Sequence, residues 1–151
     1  MTGIPEKLAE TLDLLAAIPD RAERIQALID YAGQYREVAP EVAPRPFPEE
    51  SRVPACESQA YVFPRKRPDG TLDFHFAVDN PQGISAMALA AILEEAVSGA
   101  PLQQVAAIPQ DVVYPIFGKE LSMGKTMGLM GMVSMVKAAA RRELDFMAQS
   151  T

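Results

Sequence analysis

Five prolines fall within residues 40–54, and this run limits what the chain can fold into more than any other feature of the sequence. Proline lacks a backbone N–H and clashes with the preceding turn of a helix, so the segment is predicted to be an extended and rather stiff connector. The sequence on either side is too short to form two substantial hydrophobic cores. We therefore expect the connector to cross the surface of a single domain that spans residues 1–151.

The residues before this connector predict a helical hairpin. Leucines recur at helical spacing and predict a first helix over residues 5–18. Asp20, with Glu23 three residues later, is typical of the start of a second helix in a variant of the capping box, and Gly33 lies near its end. The apolar stripes of the two helices are Leu8, Leu12 and Leu15 in the first and Ile25, Leu28, Ile29 and Ala32 in the second.

The residues after the connector predict a β-hairpin and several helices. Apolar residues alternate with other residues over positions 71–78, and positions 58–63 precede the turn sequence Pro-Asp-Gly. A short apolar run at residues 105–108 is expected to add a third strand. Helices are predicted at residues 85–98, around residues 111–117, and from Ser122 or Thr126 to about Met147. The predicted fold class is α+β, with a small three-stranded antiparallel sheet and helices packed on it.

The charge balance argues against a nucleic-acid partner. The chain has 20 acidic and 14 basic residues and a net charge of -6, so it has no basic excess with which to neutralise phosphates. No apolar run approaches the roughly 20 residues that span a bilayer, and the first residues lack the basic start and apolar core of a signal peptide. We expect a cytoplasmic protein that binds neither nucleic acid nor membrane.

No metal or nucleotide site is predicted. A structural zinc site typically needs four Cys or His ligands, and Cys56 and His75 are the only such residues in the chain. The sequence Gly-Lys-Thr at residues 124–126 is similar to the end of a phosphate-binding loop, but Lys119 stands where that motif needs its first glycine. We therefore expect the chain to hold no metal and no cofactor.

Three glycines interrupt the first half of the predicted last helix, at positions 124, 128 and 131. Each weakens a helix by roughly 1 kcal/mol relative to alanine. A close approach of another backbone would account for them. Fraying at the start of the helix is the alternative.

The single cysteine, Cys56, is the feature that bears most on function. One cysteine cannot form an intramolecular disulfide, and its ordinary role is that of a small buried apolar residue. Its surroundings, VPACESQAYV at residues 53–62, resemble the sulfur-acceptor segment of the SufE family, in which Gly-Cys-x-Ser, often with Gln next, leads through Val or Ala to Trp at the start of a strand. Cys56, Ser58, Gln59 and Ala60 fit this pattern, whereas Ala55 replaces the usual Gly and Tyr61 the usual Trp.

A second, weaker likeness lies at the start of the last helix. The family segment Ser-Arg-Ser-x-Gly-Leu is similar to residues 124–129, with Lys125 in place of the arginine. The resemblance extends over most of the chain and implies a fold of the SufE/IscU type.

The resemblance implies that Cys56 takes persulfide sulfur from a cysteine desulfurase, stimulates that enzyme, and relays the sulfur to an iron–sulfur cluster scaffold. The pyridoxal phosphate of this reaction belongs to the desulfurase, so the chain would be an accessory sulfur-transfer protein. A cation near the thiol, Lys125 or Arg52, would favour the reactive thiolate, and Ser58 and Gln59 are candidate contacts. Two other function classes stay open: a non-catalytic adaptor of the same fold, and a thiol oxidoreductase.

Overall fold

The computed structural model describes residues 3–149, which form a mixed structure of helices and one small sheet. The helices and strands follow one another along the chain as α1 Glu6–Ala16, α2 Arg21–Gly33, β1 Ala60–Lys66, β2 Leu72–Val78, α3 Ile84–Val97, α4 Leu102–Ala106, α5 Val113–Phe117 and α6 Met123–Gln149. Single 3-10 turns occur at Glu49–Ser51 and Gln110–Val112. The α+β class is therefore confirmed.

The sheet of the described residues has two strands, and the prediction of a third strand at residues 105–108 is wrong. β1 pairs with β2 antiparallel, from Ala60 opposite Val78 to Lys66 opposite Leu72. The first two of its four residues belong to α4, which begins directly after Pro101, and the other two follow the helix outside any strand. Leu102, Val105 and Ile108 are all buried, and their spacing of three places them on one side of a helical turn, where alternation would have scattered them.

The two faces of the hairpin are covered by different parts of the chain. Val62, Phe74 and Phe76 face the main hydrophobic core, which the helices complete. Phe63 faces the other way and packs under the proline-rich connector, with the ring of Phe47 centred 5.1 Å from its own. The connector contains no α-helix, as its prolines predict, but it is not extended throughout, because it turns at residues 40–42 and forms the 3-10 turn Glu49–Ser51. It shields the outer face of the hairpin.

The connector is also held to the sheet by polar contacts. The N–H of Val38 donates to the carbonyl oxygen of Phe76 at 2.8 Å, which satisfies part of the outer edge of β2. Further along, the guanidinium of Arg45 binds Asp79 and Glu37, both at 2.6 Å, and lies 4.5 Å from the centre of the Phe47 ring. These contacts fix the end of β2, beside which the cysteine segment lies.

The two N-terminal helices differ in how they use their apolar stripes. The leucines of α1 are buried in the main core, whereas α2 has no buried residue. Ile25 is 48% and Ile29 46% exposed, and only the partly buried Leu28 packs against the core from that stripe. At the start of α2, Asp20 accepts a hydrogen bond from the N–H of Ala22, as a capping residue does.

The last helix begins at Met123, between the two predicted starting points, and its core face is buried. Among residues 3–149 no helix combines the length and the apolar character that crossing a membrane requires.

Candidate functional site

Cys56 lies in a tight loop, residues 53–59, that leads into β1. Within the loop, the N–H of Gln59 donates to the carbonyl oxygen of Cys56 at 3.1 Å. The N–H of Asn80 donates to the carbonyl oxygen of Ser58, and the N–H of Asp79 to that of Gln59, both at 3.1 Å. The loop is therefore tied to the residues that follow β2, across the end of the hairpin.

Two loop residues other than glycine adopt the left-handed backbone conformation. Ala55 has φ of 56° and Gln59 has φ of 53°. A side chain in this conformation costs roughly 1–2 kcal/mol, because its Cβ crowds the following carbonyl oxygen. The strain explains why the sequence pattern that this segment resembles has glycine at the position of Ala55, since glycine adopts positive φ freely.

The thiol is sheltered against the glycines of α6. Cys56 is 8% exposed, and a Cβ added to Gly128 would lie 3.0 Å from its Sγ and 3.2 Å from its Cα. A Cβ on Gly131 would lie 2.8 Å from Cγ1 of Val53, which is also too close. The predicted close approach of another backbone is therefore present at Gly128, where the backbone of Cys56 lies on the helix, whereas Gly131 makes room for the side chain of Val53.

A cavity of about 320 Å³ opens beside the thiol. It is walled by three stretches of chain: the cysteine loop, the turn into α3, and the first turns of α6. The residues that line it are Cys56, Glu57, Ser58, Asn80, Gln82, Gly83, Ile84, Ser85, Ala86, Gly124, Lys125, Gly128 and Leu129. The structure thus brings together Cys56, Ser58 and Lys125 from the predicted set.

The structure does not bring the other two predicted residues to this cavity. Arg52 lines a separate groove with Arg142, and its guanidinium lies 3.7 Å from the carboxylate of Glu49. Gln59 is exposed and contributes its backbone to the loop, but its side chain is not among the cavity walls.

The sequence reasoning missed the polar residues after β2. Asn80, Gln82 and Ser85 all line the cavity. The strand register supplies the signal that would have found them: because Ala60 lies opposite Val78, residue 80 must fall beside residue 58.

Two helix N-termini contribute to the wall of the cavity, and a helix start carries partial positive charge. The N–H of Ile84, at the start of α3, donates to the carbonyl oxygen of Gln82 at 2.9 Å, and the N–H of Lys125, at the start of α6, donates to Oγ of Ser122 at 3.3 Å. The ammonium of Lys125 adds a full charge. Opposing it, the carboxylate of Glu57 lies against the first turn of α6, where a Cβ on Gly124 would be 2.8 Å from its Oε1.

His75 takes no part in this site. It lies opposite Phe63 on the outer face of the hairpin, with Nδ1 4.0 Å from Oε1 of Glu94. Burial raises the pKa of Glu94, and His75 opposes that shift. In the part of the chain that the structure describes, no cluster of three His, Cys, Asp or Glu residues could hold a metal ion.

The fold and the site define a small α+β protein whose one cysteine is sheltered beside a cavity. The family model described as SufE, an Fe-S metabolism associated domain, matches residues 9–140, and the chain therefore belongs to the SufE family. Among solved structures, the chain resembles one titled as the solution structure of a hypothetical protein from Thermus thermophilus, with 23% identity, a TM-score of 0.72, and coverage of 94% of this chain and 98% of that one. That likeness shows the shared fold. No curated protein matches the chain significantly.

Proposed function

We propose that this protein accepts persulfide sulfur from a cysteine desulfurase on Cys56, stimulates that enzyme, and relays the sulfur to an iron–sulfur cluster scaffold. Membership of the SufE family supports a role in Fe-S metabolism. The observation that carries the finer proposal is the placement of Cys56 at a cavity where two helix N-termini and Lys125 converge. Such a site suits a sulfur anion better than it suits a packing residue.

The transfer is a thiol exchange that balances without an external oxidant. The thiolate of Cys56 attacks the outer sulfur of the desulfurase persulfide, the bond between the two donor sulfurs breaks, and the donor cysteine leaves as a thiolate. A new S–S bond then holds the sulfur on Cys56. Because the chain contains no second cysteine, no intramolecular disulfide can expel that sulfur before it reaches an acceptor.

The residues around Cys56 have separate parts in this proposal. The helix starts and Lys125 favour the negative charge of the persulfide sulfur that Cys56 receives. The cavity gives the added sulfur atom room and limits its contact with water. Since Cys56 is only 8% exposed, the loop has to move for the donor to reach it, and its two strained residues make the resting conformation easier to leave.

Desulfurase turnover tests this proposal. Adding the wild-type protein to a matched desulfurase with free cysteine should increase turnover, because Cys56 removes the sulfur that blocks the enzyme. Cys56→Ser replaces one small side chain by another and should keep the fold, which circular dichroism checks, but it should not increase turnover.

One observation favours the adaptor alternative: the side chain of Cys56 belongs to the main hydrophobic cluster. If Cys56 only packs, Cys56→Ser will stimulate the desulfurase as fully as the wild type does. That result would replace sulfur transfer by non-catalytic binding.

A further inference from the structure

A second groove, of about 400 Å³, runs between α2, the start of α3 and residues 116–121. Its walls include Ile25, Ile29 and Ile84, which are 48%, 46% and 47% exposed. Three large apolar side chains at one exposed site exceed the scattered apolar exposure of an ordinary surface. At the rim, Arg21 forms an ion pair with Glu120.

This groove adjoins the cysteine cavity. Ile84 and Ser85 line both of them, because α3 begins between the two. A sulfur donor must bring its persulfide to roughly 3–3.5 Å from the sulfur of Cys56 before the bond can form. A stable protein partner buries about 800 Å² on each side, far more than the mouth of one cavity, so a donor seated at Cys56 also extends over neighbouring surface.

We propose that the groove binds an apolar protruding segment of the cysteine desulfurase, as a second contact beside the thiol. The inference rests on the proposed function, because the occupant is identified by its need to reach Cys56. The rest of the chain leaves Ile25 and Ile29 of the α2 stripe about half exposed, and the desulfurase covers these two side chains while Ile84 lies between them and the thiol. The groove adds to affinity and leaves the chemistry of sulfur transfer unchanged.

The test is the initial rate of sulfur gain on Cys56 at increasing desulfurase concentration. The double variant Ile25→Ser, Ile29→Ser should raise the half-saturating desulfurase concentration about tenfold and change the maximal rate less than twofold. Leu14→Ser is the matched control, since Leu14 is 65% exposed and lines neither cavity, and it should behave as the wild type does. If the double variant unfolds, the single variants Ile25→Thr and Ile29→Thr should each raise the half-saturating concentration about threefold.

Three results would overturn the inference. An unchanged half-saturating concentration would show that the groove does not touch the donor. A fall confined to the maximal rate would assign the isoleucines to the chemistry. If sedimentation shows that the wild type is a dimer and the double variant a monomer, the groove binds a second copy of this chain instead of the desulfurase. A wild-type protein that gains no sulfur at all contradicts the proposed function itself, which separates the two failures.

Discussion

The turns before and after strand β1 differ in whether their residues suit the backbone conformations that they adopt. After the strand, residues 67–71 use the residue types that their backbone needs: Gly70 takes the positive φ of 89°, and Asp69 accepts hydrogen bonds from the N–H and the hydroxyl of Thr71. Before the strand, Ala55 and Gln59 adopt positive φ without being glycine. The comparison shows that backbone strain is absent from the purely structural turn and is concentrated beside the thiol.

The largest effect is expected where the cysteine loop rests on α6. Gly128→Val should destabilise the protein by about 1–3 kcal/mol, because the new side chain meets the backbone and the Sγ of Cys56 and cannot be avoided by a flexible neighbour. Gly33→Val is the control, since a Cβ at that position meets nothing within 4 Å, and it should stay within about 0.5 kcal/mol. Urea denaturation measures both. Equal losses would mean that the loop does not rest on Gly128.

A reciprocal exchange tests the strain directly. Gly70→Ala should destabilise the protein by about 1–2 kcal/mol, because it introduces a side chain at positive φ. Ala55→Gly should stabilise it by about 0.5 kcal/mol, since relief of the same strain slightly exceeds the greater flexibility that glycine gives the unfolded chain. Thermal unfolding of the two variants checks the signs. Destabilisation by both would contradict the assignment of strain to the cysteine loop.

A smaller effect is expected from the charge at the cysteine cavity. Lys125→Ala should slow sulfur acceptance about two- to fivefold with little loss of stability, which corresponds to roughly 0.4–1 kcal/mol in the activation free energy. Lys125→Arg should retain most of the activity, because it keeps the charge. Lys66→Ala is the matched control at the far end of β1, where Lys66 pairs with Glu143 at 2.8 Å.

Measuring the effect of Lys125→Ala at several desulfurase concentrations distinguishes a role in partner binding from a role in the chemistry. A loss seen only at sub-saturating desulfurase indicates that Lys125 helps the partner to bind. A loss at saturation as well indicates that it stabilises the sulfur anion. No difference between Lys125→Ala and the wild type would remove Lys125 from the site.

Local sequence patterns correctly predicted those helices and strands whose apolar faces are buried by other parts of the same chain. The leucines of α1, the alternation of β2 and the Pro-Asp-Gly turn each carry a periodicity that the core or the turn geometry enforces. The run at residues 105–108 was misassigned because a short apolar segment fits a helical turn as well as a strand, and only packing decides.

The candidate site was predictable in part for a similar reason. Cys56 and Ser58 are close in sequence, so a local motif captures both, and the motif-level likeness at Lys125 added the third residue. The side chain of Arg52 lines a separate groove because of the path that the chain takes through the strained loop. Periodicity in the sequence does not predict that path. The sequence also could not predict that Ile25 and Ile29 of the α2 stripe are exposed. A periodic pattern shows that a face is apolar but not which molecule covers it.

The mass of the protein after incubation with a desulfurase and free cysteine tests the central claim most directly. The account predicts a gain of one sulfur atom, located on Cys56, removed by a thiol reductant and absent in Cys56→Ser. It predicts no gain when the desulfurase is omitted. A protein that keeps its original mass beside an active, matched desulfurase would contradict the claim that Cys56 carries sulfur.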